Sequence, residues 1–456
     1  MNKINGTYKF KTVVTSQMII TVSNVKQESP SSDLEFSIKI WLLNGEKIIQ
    51  TVPVQTIKYE GLTAERLLST RYDSEYHSNA TPIVTILSND YITVVHYWGD
   101  TNKLKSAAIL LKINGNKIIS KGYEILSGAA THYPLASGSI GENKTFLLLT
   151  ENVFILTVEN DSLSVNSSSL NIPLVKTTRH FPGGQGWLSW QFRLTSSRLS
   201  ANTIIVFYHY SLAFNMQICV QVVKISETNN FTVSSMQFLP GRDEDTGLNY
   251  YNTIGSSRIS DNECFFSYDV LLLPGIKKVG RIVTVNGNSV AWGSEVELIT
   301  SNEIRVPGFV DLIGCQILRF SNSNNFIVVY LRRDNVDGVL MMKLLAQSVK
   351  IQGSTISPQN IITIAESNNI GTGWDRDIPL FRDIPTSSGS IFVIISSLRK
   401  PFYYKVLTMT GDSITASGKY MPEQDEHFFQ IASDIYNWFH QKSSFGNTAL
   451  IPPLKP

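Results

Sequence analysis

The chain has 456 residues, of which 42% are hydrophobic and only 17% are charged. This composition excludes a disordered chain, because enough apolar surface is available for one large core or two ordinary ones. The 39 basic and 37 acidic residues leave a formal net charge of +2, which gives no sign of a surface built to neutralise phosphates or anionic lipids. We therefore expect no nucleic-acid partner.

The amino-terminal stretch MNKINGTYKFKTVVTSQMII lacks a continuous apolar segment and a small-residue cleavage site. No run in the chain reaches the roughly 18 uninterrupted apolar residues that a membrane helix needs. We expect a chain without its own export signal and without membrane insertion.

The cysteines and histidines form no recognisable metal-binding pattern. Cys219, Cys264 and Cys315 lie in apolar runs without a CxxC spacing, which favours buried free thiols. The seven histidines show neither HxH nor HExxH. We expect no metal and no cofactor.

Short runs of β-branched and aromatic residues, bounded by Asn, Asp, Ser or Gly, predict strands along most of the chain. The clearest runs are YITVVHYW (91–98), KTFLLLT (144–150), TIIVFYHY (203–210), FIVVYLR (326–332) and IFVIISS (391–397). Polar hairpin turns recur about every 61 residues, near Gly45, Gly115, Asn160, Thr228, Gly287, Gly353 and Gly411.

One stretch of the sequence is nearly duplicated. SSRLSANTIIVFY (196–208) returns sixty residues later as SSRISDNECFFSY (256–268), and Asn324 to Tyr330 repeats part of the same spacing. Four strands in each repeat predict an all-β fold, a seven-bladed β-propeller of four-stranded antiparallel blades. We expect the propeller to span residues 1–425. Residues 426–456 would supply a ring-closing strand or short helix and an extended tail ending in IPPLKP.

The repeated residues themselves suggest packing. Asn202 and Asn262 fit the turn into the second strand, where their side chains can bond nearby backbone. Tyr208 and Tyr268 fit a contact between blades that buries the ring and gives the hydroxyl a partner.

Three arginines occupy nearly corresponding places in consecutive repeats. Arg198, Arg258 and Arg319 could form a cluster that binds a carboxylate or phosphate. Alternatively, each arginine could hold loop carbonyls between adjacent blades, the packing role that repeats usually keep.

Three aromatic loops have the composition of sugar-binding sites: HYWGD (96–100), RHFPGGQGWLSW (179–190) and GTGWDRD (371–377). Their candidate ligand-binding residues are Trp98, Asp100, Arg179, Trp187, Trp190, Trp374, Asp375 and Asp377. The alternative is that these tryptophans are wedges between blades.

Motifs of catalysis and of calcium binding are missing. Asp243 and Asp245 in GRDEDTG begin a calcium loop, but no downstream glutamate completes it, so we expect a solvated acidic turn. The Asp-box S-x-D-x-G-x-T-W, GxSxG and the P-loop do not occur. We therefore expect a chain that is not an enzyme, with no catalytic residues.

The segment VTVNGNSVAWGSEVELI (283–299), taken with SSRLSANTIIVFY, resembles the repeat of β-propeller domains in tailed-bacteriophage virion proteins. In that repeat a strand of the form L-S-x-x-h-h-V-h-Y precedes a hairpin of the form V-x-G-x-x-h-x-x-G-x-E. The resemblance implies a tail or fibre component located in the virion and assembled in the host cytoplasm. Its partners would be other virion subunits, a host-surface glycan, or both, within an oligomer or larger assembly. A stand-alone lectin-like or scaffold propeller is the alternative.

Overall fold

The computed structural model describes residues 10–14, 18–24, 33–44, 47–63, 83–87, 91–98, 105–114, 117–126, 136–141, 143–148, 152–169, 194–212, 215–228, 230–240, 254–272, 275–301, 316–320, 323–336, 339–367, 380–385, 391–397 and 400–417. Every regular element in these residues is a β-strand, and they contain no helix that is long and apolar enough to cross a membrane. The all-β prediction is confirmed.

Three sheets lie in the first part of the chain. Sheet A contains β1 Phe10–Val14, β2 Met18–Asn24, β3 Asp33–Asn44 and β4 Lys47–Thr63. Sheet B contains β5 Ile83–Ile86, β6 Tyr91–Trp98, β7 Lys105–Asn114 and β8 Lys117–Leu126. Sheet C contains β9 Ala136–Gly141, β10 Lys144–Leu148, β11 Asn152–Glu159 and β12 Ser162–Ser169.

Four further sheets follow. Sheet D contains β13 Leu194–Ser200, β14 Thr203–Leu212, β15 Asn215–Ile225, β16 Phe231–Val233 and β17 Gln237–Phe238. Sheet E contains β18 Ile254–Arg258, β19 Glu263–Leu272, β20 Gly275–Asn286, β21 Ser289–Trp292 and β22 Val296–Ser301. Sheet F contains β23 Gln316–Arg319, β24 Asn325–Val336, β25 Val339–Gln352 and β26 Thr355–Ser367. Sheet G contains β27 Leu380–Pro385, β28 Ile391–Ser397, β29 Lys400–Thr410 and β30 Ser413–Ala416.

Strands that follow one another in the chain pair in sequence order, so each sheet is an open antiparallel meander within the described residues. Sheets D and E depart from the predicted four strands, because β17 also pairs with β15 and β22 also pairs with β20. In sheet E the fourth position is divided between β21 and β22. Between them, the Gly293 N–H donates to the Ile282 carbonyl at 2.8 Å, and Glu295 accepts a hydrogen bond from Arg281. The split thus directs a carboxylate onto a partly buried arginine.

The hairpin turns predicted from the sequence are confirmed where they are described. Asn160, Gly287, Gly353 and Gly411 have φ between 51° and 63°. This left-handed conformation matches the twist of the flanking strands in a two-residue hairpin, and glycine or asparagine adopts it with little strain. Gly45 and Gly115 lie outside the described residues.

The chain divides into two compact units, residues 1–172 with 225–231 and residues 173–224 with 232–456. The first contains a core cluster of Ala108, Leu126, Leu147, Phe154 and Leu156. The predicted closing segment and tail, residues 426–456, lie outside the described residues.

The core of the second unit explains the duplicated sequence. Phe207 and Phe266 stack across sheets D and E with ring centroids 4.1 Å apart, and the Trp292 ring makes edge-type contacts with both. Tyr208 and Tyr268 are fully buried. The Tyr208 hydroxyl donates to Gln221 at 2.8 Å, which confirms the predicted partner for a buried ring.

The two turn asparagines bond mainly through neighbouring serines. The Asn202 and Asn262 side chains accept hydrogen bonds from the hydroxyls of Ser200 (2.7 Å) and Ser260 (2.9 Å). The prediction placed these side chains on backbone groups, and the structure corrects it, because a serine hydroxyl two residues earlier lies in reach.

Cys219 and Cys264 are buried free thiols, as expected, and burial raises the pKa of both well above the ordinary value. Neither thiol is activated as a nucleophile. Cys315 lies outside the described residues. Within the described residues no group of three or more His, Cys, Asp or Glu side chains could hold a metal ion.

Side-chain amides tie neighbouring sheets together at an equivalent point in three places. An amide on the outer strands of sheets A, D and F reaches the fourth-position strand of the next sheet. Its oxygen accepts from the backbone N–H of that strand's second residue: Ile118 for Gln55 (3.1 Å), Val290 for Gln237 (2.8 Å) and Ile414 for Asn360 (2.9 Å). Gln237 and Asn360 also donate to backbone carbonyls of the same hairpin. These amides help to fix the spacing of adjacent sheets.

An aspartate in the β11–β12 turn ties sheet C to sheet B. Asp161 contacts the Nζ atoms of Lys112 and Lys121 at 2.9 Å each and accepts a hydrogen bond from the Tyr91 hydroxyl. Hydrogen bonds from Lys121, Tyr91 and Lys112 hold the pKa of the Asp161 carboxyl well below its usual range. Sheets F and G repeat the pairing with Lys350 and Asp412 at 2.8 Å.

We expect Asp161→Asn to lower the thermal midpoint of unfolding at neutral pH, since asparagine keeps the left-handed turn but loses the charge on two lysines. A carboxyl whose pKa falls on folding stabilises the fold above its unfolded pKa, and this contribution is lost as the pH decreases. The gap between wild type and variant should therefore shrink below about pH 4.

Thermal melts between neutral and acidic pH measure this gap. Asp33→Asn is the matched control, because Asp33 makes a long ion pair of 3.8 Å with the largely exposed Lys58. A gap for Asp161→Asn that stays constant with pH would show that its charge is unimportant.

Candidate functional site

Arg198, Arg258 and Arg319 lie near the carboxyl ends of β13, β18 and β23, the first strands of sheets D, E and F. We call these three residues the arginine row. Each arginine is followed by an apolar residue and then by a serine- and asparagine-containing turn into the second strand. Leu199 and Phe320 at the apolar position are buried, which anchors the backbone beside the guanidinium groups.

Hydroxyl contacts bring the first strands of sheets D and E side by side. The Ser256 Oγ lies 3.1 Å from the Thr195 Oγ1 and 2.8 Å from the Ser197 Oγ. These hydrogen bonds account for one serine of each repeated pair, and they place Arg198 and Arg258 on adjacent strands.

Each arginine also holds backbone carbonyls. The Nε atoms of Arg198, Arg258 and Arg319 donate to the carbonyls of Ser200 (2.9 Å), Ser260 (3.4 Å) and Ser323 (2.9 Å). The Arg319 Nη1 crosses to sheet E and donates to the carbonyls of Arg258 (3.3 Å) and Ile259 (2.7 Å). These contacts are the packing role that the sequence left open as the alternative to anion binding.

The row concentrates positive charge along one edge of the second unit. Partial burial and then the charge of Arg258 lower the pKa values of Arg198 and Arg319. Guanidinium groups nevertheless remain protonated at neutral pH. Asp261 forms an ion pair with the Arg258 Nη2, and both side chains are exposed, at 51% for Arg258 and 78% for Asp261.

The equivalent positions of sheets B and C carry no arginine. The N–H of Leu87 donates to the Tyr91 carbonyl just as that of Ile259 donates to Glu263, so Ile86 corresponds to Arg258. In sheet C the Val158 N–H donates to the Asn143 carbonyl, as the Val285 N–H donates to the Asn262 carbonyl in sheet E. Asn143 therefore corresponds to Asn262, and Ser139, four residues earlier, corresponds to Arg258. Sheets B and C therefore fold without an arginine at this place.

Nearly all residues of the predicted sugar-binding loops lie outside the described residues. Trp98 is the last residue of β6, and only its backbone is described. Outside the described residues altogether lie Asp100, Arg179, Trp187, Trp190, Trp374, Asp375 and Asp377, together with Asp243 and Asp245.

Sequence reasoning missed a partly buried polar network in sheet E. The Arg281 Nε donates to the Tyr268 hydroxyl (2.9 Å), its Nη2 donates to Glu295 (3.1 Å), and the Tyr268 hydroxyl donates to Glu295 (2.7 Å). Burial raises the pKa of Tyr268 far above the ordinary value, so the phenol stays neutral. The signal was the sixty-residue spacing, because Gln221 occupies the place of Arg281 in sheet D.

No protein-family model matches the sequence, and no curated protein matches it either. Solved structures similar to the chain include the N-terminal domain of Nup159, with 11% identity over 75% of this chain and 76% of the other, and a TM-score of 0.34. A polysaccharide lyase described as a PL25 ulvan lyase is 11% identical over 89% of this chain and 93% of its own, with a TM-score of 0.43. A mutant of B. megaterium levansucrase is 9% identical over 76% and 82%, with a TM-score of 0.33.

Two of these three similar proteins are enzymes, a lyase and a levansucrase. This finding corrects the prediction that the chain is not an enzyme, which was wrong as an exclusion. It treated the absence of the Asp-box, GxSxG and the P-loop as evidence against catalysis, although each motif marks particular enzyme families only.

Proposed function

We propose that the chain is a seven-bladed β-propeller of a tailed-bacteriophage tail or fibre that binds a host-surface glycan, a neighbouring virion subunit, or both. The observation that carries the binding role is the arginine row, which lies on three consecutive sheets and is missing from the equivalent places of sheets B and C. The repeat architecture itself does not require this charge, since sheets B and C lack it, and the extended surfaces of repeat proteins commonly serve in binding.

Two observations support the architectural part of the proposal. Seven open antiparallel sheets follow one another in the described residues, and sheets B and C, D and E, and E and F share core clusters. The resemblance to phage propellers depends on the repeated strand and hairpin motifs, and none of the three similar structures named above is described as a phage protein.

A binding assay on the purified chain tests the proposal. We expect saturable binding to a subset of an array of bacterial surface glycans and to whole cells that display them, with light scattering on the same sample reporting the oligomeric state. A folded chain that binds neither glycans nor cells would contradict glycan recognition and leave virion attachment as the role to test.

A stand-alone lectin-like or scaffold propeller is the second candidate function. The free buried thiols and the arginine row fit such a protein equally well. Co-purification of the chain with virions would separate the two candidates, because a stand-alone lectin would remain in the lysate.

A further inference from the structure

We propose that the arginine row binds the anionic group of an acidic polysaccharide, a carboxylate or a sulfate, and that Asp261 competes with this ligand for Arg258. The inference rests on the proposed glycan-binding function and names the class of ligand.

Like charges at short range require a counter-charge. Arg258 lies close enough to Arg198 and Arg319 for its positive charge to lower the pKa values of both. Among the charged groups of the adjoining turns, Asp261 pairs with Arg258, while Glu263 accepts a hydrogen bond from Ser260. A bound anion would offset the mutual repulsion of the guanidinium groups in the row.

The geometry leaves donor capacity at Arg258. Its Nε bonds the Ser260 carbonyl at 3.4 Å, longer than the 2.9 Å bonds made by the Nε atoms of Arg198 and Arg319. Its Nη2 contacts Asp261, and its Nη1 has no hydrogen-bond partner among the described residues. A half-exposed planar guanidinium, with Nη2 held by the exposed Asp261 side chain alone among the described residues, suits bidentate binding of a carboxylate or sulfate once Asp261 is displaced.

Asp261 is placed to be displaced by such a ligand. It follows Ser260 in an exposed turn, and 78% of its side chain is accessible to solvent. An exposed ion pair contributes little to stability, so an incoming anion can replace the Asp261 carboxylate with little effect on the fold. Asp261 would then weaken binding of every anion and favour ligands that present several charges.

Three polysaccharides with one backbone provide the test: dextran, carboxymethyl dextran and dextran sulfate, each passed over the immobilised full chain. We expect the two charged polymers to bind at low ionic strength and neutral dextran not to bind. Arg258→Gln should weaken binding about two- to five-fold, and Asp261→Asn should strengthen it by a similar factor. Raising the salt concentration should reduce every one of these affinities.

The variants make the outcomes decisive. Binding of only the carboxymethyl polymer would assign a carboxylate site, and binding of both charged polymers would assign a general anion site. A gain in affinity for Asp261→Asn with an unchanged circular dichroism spectrum keeps the test decisive if Arg258→Gln destabilises the chain. Equal binding of all three polymers, or unchanged affinity in Asp261→Asn, would overturn the proposal.

Failure of this inference differs from failure of the proposed function. If the chain binds cells but neither charged polymer, glycan recognition lies elsewhere in the chain and the arginine row is not an anion site. Polymer binding through the row without binding to cells or array glycans would keep the anion site and remove the host-recognition role.

Discussion

Replacing Lys278 with methionine should lower the free energy of unfolding by about 3–5 kcal/mol, because the substitution removes a cation that pairs with the buried Asp269 carboxylate. The two residues face each other on β19 and β20 and form a direct ion pair. Only 6% of the Lys278 side chain and 8% of the Asp269 side chain are exposed. The Lys278 ammonium also lies 5.7 Å from the centre of the Tyr330 ring, which adds a cation–π contact between sheets E and F.

The double variant Asp269→Leu with Lys278→Met is the matched control. It removes both charges and retains apolar volume, so its stability should lie close to that of the wild type or above it. Urea denaturation followed by tryptophan fluorescence and circular dichroism measures all three proteins. A single variant as stable as the double variant would show that the pair is hydrated in solution.

Replacing Phe266 with alanine should cost about 3–5 kcal/mol, which is the range for deleting a fully buried aromatic side chain. Phe266 is inaccessible to solvent and stacks on Phe207, while the Trp292 ring makes an edge-type contact with it at 5.9 Å between centroids. The neighbouring ring of Tyr268 lies 5.5 Å away, so the cavity would open inside a cluster of aromatic rings that cannot easily collapse.

Phe238→Ala is the control for this deletion, since 40% of Phe238 is exposed on a short outer strand. We expect its effect on the free energy of unfolding to stay below about 1 kcal/mol. Equal losses in the two variants would mean that Phe266 does not occupy the core between sheets D and E.

The strands could be predicted because each carries its own local signal. YITVVHYW and IFVIISS coincide with β6 and β28, since β-branched and aromatic runs there end at polar turns. The run at 326–332 predicted the first part of β24, which continues to Val336 through Arg333, Asp334 and Asn335. Charged and polar residues at the end of a strand have the same local composition as a loop. The pairing of β24 with β25 therefore decides where β24 ends.

Contacts between sheets were harder to predict than the strands. The pairings of Asp161 with Lys112 and of Asp412 with Lys350 join residues 49 and 62 positions apart. Nothing in either local stretch indicates the partner. The repeat placed the two aspartates in equivalent turns and the two lysines near the ends of equivalent strands, but it did not show which side chains meet.

The candidate site was predictable only in part. The repeat alignment brought Arg198, Arg258 and Arg319 to one edge, and the structure places them there. The Arg319 donation to carbonyls of sheet E and the exposed pair of Arg258 with Asp261 depend on loop conformations that composition does not determine. The aromatic loops stay a prediction, because their side chains lie outside the described residues.

Binding of fluorescently labelled protein to whole host cells is the most direct test of the central claim that the chain recognises a surface glycan through the arginine row. We predict saturable binding by the wild type, with binding reduced at least several-fold in Arg198→Gln with Arg258→Gln. Lys58→Gln with Lys224→Gln, which removes the same charge from β4 and β15, should bind like the wild type. Equal cell binding by the arginine variant and the wild type, with both folded, would contradict the account.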